Sequence, residues 1–148
     1  MWAELTRGYL MLEHTSDAYI EAYGKDFKEA FEEAGKALFA VIIRNIEHVK
    51  KDVKKVIEAD GIDKFSLLYN WLEKLLILFD VEGIIVSEIN VKDLSIDSEP
   101  IYIKAEVFGE RYDPARHKAG IDVKSPTYWL MEFGEKDDIA YVRFVLDI

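Results

Sequence analysis

Between Asp63 and Phe79 the apolar residues Phe65, Leu68, Trp71, Leu72, Leu75, Leu76 and Phe79 recur at the three-and-four spacing of one helical face, with Gly83 shortly beyond. A stripe that wide must be covered by another element. A second stripe lies between Asp26 and Arg44, where Phe27, Ala30, Phe31, Ala34, Leu38, Val41 and Ile42 share a face. Asp26 followed three positions later by Glu29 has the form of a capping box and sets its start. The other patterned segments alternate by two: Ala18 to Tyr23, Ile101 to Phe108, Tyr128 to Phe133 and Ile139 to Asp147, with an apolar strand from Tyr9 to Leu12 and less regular strands near Lys54 to Ala59 and Ile84 to Ile96. Two long helices and about six strands clustered late in the chain predict an α+β fold, a largely antiparallel sheet with two long helices packed on one face. No Pro/Gly/Ser-rich linker divides the sequence, so a single domain over residues 1–148 is expected. A hydrophobic content of 50% supplies its core.

Composition narrows the chemistry. There is no cysteine, which removes disulfides, thiolate zinc sites and a cysteine nucleophile together. Any metal must then use oxygen or imidazole. The 29 acids against 19 bases give a net charge of −10, which disfavours general binding to a phosphate backbone and leaves only a local basic patch for such contacts. Glutamine is absent while Lys and Glu abound, a bias expected of a thermophile. No run approaches the roughly 20 apolar residues of a membrane span, and the amino terminus lacks the pattern of a secretory signal, so a cytoplasmic location is expected.

Three places carry polar groups that could do chemistry. His14-Thr15-Ser16-Asp17 lies at a strand junction, where Thr, Ser and Asp either cap a turn through backbone amides or present a functional loop. A hydrolase triad is disfavoured there, since triad members normally come from distant positions and no G-x-S-x-G elbow is present. At the other end, Ala140, Val142, Phe144, Leu146 and Ile148 form an apolar face from which Asp147 points away. Asp147 is either solvated, paired with a cation, or, with the carboxylate of Ile148, a pair of oxygen donors suited to a hard divalent ion if a third acid approaches. The third place is Arg111 to Lys124, where Arg111, Arg116, His117, Lys118 and Lys124 concentrate positive charge on an acidic chain; Asp113 and Pro114 there open like a short helix. These residues are a candidate contact for phosphate or an acidic partner, against the alternative of scattered surface charge.

Taken together, His14-Thr15-Ser16-Asp17, Glu29-Ala30-Phe31, Leu38-Phe39, Leu67-Leu68 to Trp71-Leu72, Gly109-Glu110-Arg111-Tyr112-Asp113, His117, Lys124, Thr127-Tyr128 and Asp147-Ile148 resemble the archease family in order and spacing over the whole chain. Two positions depart from it: Ser16 stands where alanine is expected, and Trp129 follows Thr127-Tyr128 where a histidine is frequent. The resemblance implies an accessory activator, not an enzyme, that helps the tRNA-splicing RNA ligase become guanylylated and turn over repeatedly. It also implies a divalent ion held by acids matching Asp17 and Asp147; oxygen ligands suit Mg, Mn or Ca, and the Ile148 carboxylate is the adjacent candidate donor. Arg116, His117 and Lys124 are then expected to face the ligase, and nucleic acid to be met only through it. Two other readings stand beside this one: a stand-alone metal-dependent phosphohydrolase using Asp17, Asp147 and His117, and a chaperone or modulator of nucleic-acid-modifying proteins.

Overall fold

In the computed structural model, which describes residues 6–12 and 17–148, the chain runs β1 (Gly8–Leu12), β2 (Ala18–Gly24), α1 (Phe27–Ile42), a short 3-10 turn (Ile46–His48), β3 (Val53–Gly61), α2 (Lys64–Glu82), β4 (Ile84–Ser95), β5 (Ile101–Arg111), β6 (Ser125–Pro126), β7 (Glu132–Lys136) and β8 (Ile139–Asp147). The fold is α+β and all of its strand pairs are antiparallel. His14, Thr15 and Ser16 lie outside the described residues.

The strands form two sheets rather than one. β1, β2, β8 and β6 lie in that order, with β7 also on β8, while β3, β5 and β4 make a second sheet. The division changes the role of α1, which packs on β2 and β8 of one sheet and on β4 of the other. It is therefore covered on more than the single face its stripe suggests, and Glu32, Glu33 and Gly35 are buried along with the apolar positions. Gly35 marks the closest approach: a Cβ there would fall 2.5 Å from the Ile89 side chain and 2.8 Å from that of Leu75. α2 packs chiefly on β3 and is tied to α1 by the buried Trp71, whose indole N–H donates to the Phe31 carbonyl at 3.0 Å.

Both helix starts follow from their caps. Asp26 accepts the Glu29 amide at 3.0 Å, but the Glu29 carboxylate reaches the Lys25 amide instead of closing the box on Asp26. The reciprocal box forms at α2, where Asp63 accepts from the Ser66 amide and Ser66 Oγ accepts from the Asp63 amide. Gly83, at φ 67°, ends α2 in the left-handed conformation. No described helix is long and apolar enough to cross a membrane.

Burying Glu32 and Glu33 requires partners. Arg7 supplies one guanidinium to both, with Nη2 2.7 Å from Glu32 Oε1 and Nε 2.8 Å from Glu33 Oε2. The second oxygen of Glu32 accepts the Val91 amide at 2.8 Å, next to an irregularity in β4 between Val91 and Asp93. An amide of β4, an edge strand of its sheet, thus finds its acceptor in a helix side chain.

Candidate functional site

The pairing of β2 with β8 sets the geometry of the two expected acids. Ala18 lies opposite Leu146 and Tyr19 opposite Val145, so Asp17, one step before β2, stands level with Asp147, the last residue of β8. Residues 130 positions apart in the chain reach one sheet end because the pairing is antiparallel. Asp17 lines a cavity of about 540 Å3 together with Arg44, Gly120 and Ile148, and the half-exposed Met11 and Ile121 supply apolar wall. The Ile148 side chain also packs against the core.

One wall of this cavity is built by closing the end of α1. The helix stops at Ile42 without a local glycine cap, and the carbonyls left over are taken by a distant segment. Ile121 N–H donates to Val41 O at 2.9 Å, Gly120 N–H to Ile42 O at 2.7 Å, and Arg44 N–H to Lys118 O at 2.8 Å. At Gly120 a Cβ would sit 2.3 Å from Val41 O, so only glycine permits the approach. Buried Asn45 completes the attachment: its Oδ1 accepts the Lys118 amide at 2.8 Å and its Nδ2 donates to Arg116 O at 3.0 Å.

The basic segment does not form the single patch expected of it. Residues 113–117 make one turn rather than a helix, with Asp113 Oδ1 accepting the Ala115 amide at 3.0 Å. His117 is buried at 2% exposure, which corrects its expected partner-facing position. Its Nδ1 accepts the Asp113 amide at 2.8 Å, leaving the Nε2 proton directed at Glu110 Oε2, 3.2 Å away. Arg116 ion-pairs with the other oxygen of Glu110, and its side chain is 42% exposed. Burial alone would raise the Glu110 carboxyl. The Lys50 amide, His117 and Arg116 outweigh it and hold that carboxyl below the ordinary glutamate range. Arg116 and His117 are thus committed to a buried acid. The sequence hides this because Glu110, at the end of β5, faces them only after the chain turns.

Lys124 behaves differently. It is exposed, and its backbone amide donates to the Asp147 carbonyl at 2.8 Å, where β6 begins to pair with β8. Lys124 is therefore fixed beside the chain-end acid. Arg44, a cavity-lining cation, was not among the expected site residues. Its signal was its place at the end of the first helical stripe, where a cation faces the negative end of the helix dipole.

The donors fit a hard cation. Asp17 and Asp147 offer carboxylate oxygen only, the chemistry of magnesium, manganese or calcium, and Mg2+ in particular binds through one or two carboxylates while keeping several waters. Among the described residues no group of three or more His, Cys, Asp or Glu side chains gathers. The third acid considered from the sequence is thus not found among them, and water would complete the coordination.

The model of the archease protein family (MTH1598/TM1083) matches residues 9–148. Protein archease of Sulfurisphaera tokodaii is 36% identical over 136 residues, 92% of this chain and 95% of that protein. That of Pyrococcus furiosus is 40% identical over 126 residues, 85% of this chain and 87% of its own length. Among solved structures, protein 1598 of Methanobacterium thermoautotrophicum superposes with a TM-score of 0.78 at 28% identity, covering 95% of this chain and 99% of its own. An archease of Thermotoga maritima described as a possible chaperone superposes with a TM-score of 0.56 at 22% identity over 93% of this chain and 94% of its own, a likeness of fold.

Proposed function

As the chain belongs to the archease family, we propose that it is an accessory activator of the tRNA-splicing RNA ligase, promoting the metal-dependent guanylylation and repeated turnover of that enzyme. The observation that carries this reading is the strand register that brings Asp17 and Asp147 to one sheet end beside an open cavity. In this reading the two carboxylates hold a divalent ion, which supplies positive charge for an anionic group of the partner's reaction. The protein's own residues do the rest. Arg44 offers a second positive group on the cavity wall, exposed Lys124 faces the partner next to Asp147, and the segment through Gly120 keeps that wall in place.

Joining of RNA ends by the ligase under multiple-turnover conditions, with and without this chain, tests the reading. Wild type is expected to raise both turnover and the guanylylated fraction, and Asp17→Asn and Asp147→Asn to lose that effect. Calorimetric titration with magnesium, manganese and calcium should show weakened binding in the same two variants. Equal metal affinity and equal activation in wild type and both variants would remove the metal from the account. Phosphate release from nucleotide or RNA ends by the chain alone, lost with Asp17→Asn, would favour the hydrolase instead.

A further inference from the structure

The lower part of β8 is paired at its two ends by different short strands, β6 at Asp147 and Leu146 and β7 from Arg143 to Ile139. Between them the edge is broken, and the break carries Tyr128, Trp129 and Leu130, exposed by 54, 60 and 42%. Three consecutive large apolar residues in solvent are unusual on a chain whose other tryptophan among the described residues, Trp71, is fully buried.

This turn is built rather than loose. Thr127 anchors its start, its Oγ1 donating to Val145 O at 2.9 Å and accepting the Trp129 amide at 3.3 Å. Met131 N–H closes it on Tyr128 O at 3.3 Å. The Tyr128 ring lies flat on Tyr69 of α2, centroids 4.7 Å apart and planes 10° from parallel. Leu130 holds φ at 57°, the left-handed region that a leucine adopts only at a cost. A backbone held in that conformation to present leucine and tryptophan to water is hard to explain by stability alone. Burial first, then Tyr69, Asp63 and Glu73, push the Tyr128 phenol up, so two carboxylates act on the ring. Lys64 lies over the rings of Phe65 and Phe133 at 5.6 and 5.3 Å.

We infer that the Tyr128–Leu130 turn is a docking anchor for a protein partner that offers an apolar pocket with a basic rim. Trp and Tyr are the residue types enriched at interface hot spots, and the Asp63 and Glu73 carboxylates, on a chain of net charge −10, favour a basic rim and oppose the phosphates of a nucleic acid. β6 links the anchor directly to Asp147, so a partner seated on Trp129 is brought to the cavity. Taking the ligase as that partner rests on the function proposed above.

Titration of the ligase with wild type, Trp129→Ala and Leu130→Gly tests the anchor. Wild type should bind, with affinity falling as salt rises. Trp129→Ala should weaken binding at least tenfold, and Leu130→Gly should weaken it while the melting temperature holds or rises, a combination no folding defect produces. If wild type binds and both turn variants bind equally well, the anchor is wrong and the proposed partner stands; if wild type does not bind the ligase, both fall together. Binding of a single-stranded RNA oligonucleotide that is lost with Trp129→Ala overturns a protein pocket in favour of base stacking. Concentration-dependent dimerisation lost with the same variant overturns it in favour of a second copy of this chain.

Discussion

Glu32 and Glu33, in the middle of α1, and Asp147, at the end of β8, are all carboxylates, yet their surroundings are opposite. The two glutamates are buried at 8 and 3% exposure and share the Arg7 guanidinium, with Lys36 also 3.1 Å from Glu33. Glu110 repeats the pattern with Arg116 and His117, and Glu21, 1% exposed, with Arg143 at 3.0 Å. Asp147 is half-buried, has no ion-pair partner among the described residues, and stands level with Asp17, which lines the cavity. Each of the buried glutamates among the described residues has a cation beside it. Asp147 has none, which leaves its carboxylate available to bind something else.

The sharpest way to break this contrast is Arg7→Met, which strands the buried Glu32 carboxylate and leaves Glu33 with Lys36 alone. Removing one partner of a buried pair costs about 3–5 kcal/mol, and because the Arg7 side chain is 35% exposed, solvent screening reduces the expected loss to about 2–3 kcal/mol. Denaturant unfolding measures it, and adding Glu33→Gln to that variant should recover part of the loss. Gly120→Ala comes next, at about 1–3 kcal/mol for forcing a methyl against Val41 O. Amide exchange should then rise at Ile121 and Arg44, whose N–H groups hold that segment to the end of α1.

Glu110→Gln is smaller, about 1–2 kcal/mol at neutral pH, toward the low end for hydrogen bonds to a charged group because the glutamine carbonyl still accepts one of them. Its signature is in the pH dependence. Folding holds the Glu110 carboxyl below its ordinary value, so the folded state favours the ionised form. That stability is fully present above the ordinary glutamate range and is lost as pH falls through the folded value. Wild type should therefore lose stability more steeply than Glu110→Gln on acidification, with the two curves converging at low pH. Parallel curves would mean that the ion pair with Arg116 and the contact with His117 do not favour the charged carboxyl.

How much of this was legible in sequence depended on whether a feature has a period. Both helices were, and β8 runs from Ile139 to Asp147 as its alternation predicts. The seventh strand was not: alternation suggested Tyr128 to Phe133, whereas β7 spans Glu132–Lys136 because Tyr128 to Leu130 leave the sheet. Alternation reads the spacing of apolar residues and is blind to which of them face solvent. The division into two sheets was equally hidden, since each strand carries the same pattern whichever sheet it joins. At the site, Asp17 and Asp147 were singled out from residue type and resemblance, while Arg44 was missed and His117 misplaced. Those two depend on contacts between segments that no local pattern records: the closing of α1 by residues 118–121, and the turn that faces His117 to Glu110.

Asp147→Asn sharpens the comparison at its other end, because it should change stability least and function most. The substitution keeps the volume of the side chain and leaves the Asp147 carbonyl free to accept the Lys124 amide, so the end of β8 stays paired with β6. No cation is left stranded by it among the described residues, and one charge is removed from a chain carrying −10. Unfolding without divalent ions should therefore give a stability equal to wild type or slightly higher. With saturating manganese the order should reverse, since an ion that binds only the folded state stabilises it through its affinity, and the variant lacks one of the two donors. Thermal melts of both proteins with and without manganese make the measurement, and they need no ligase. A variant that gains as much from the ion as wild type would place the cation away from β8, and Asp147 would then join the glutamates of α1 as an acid explained by the fold.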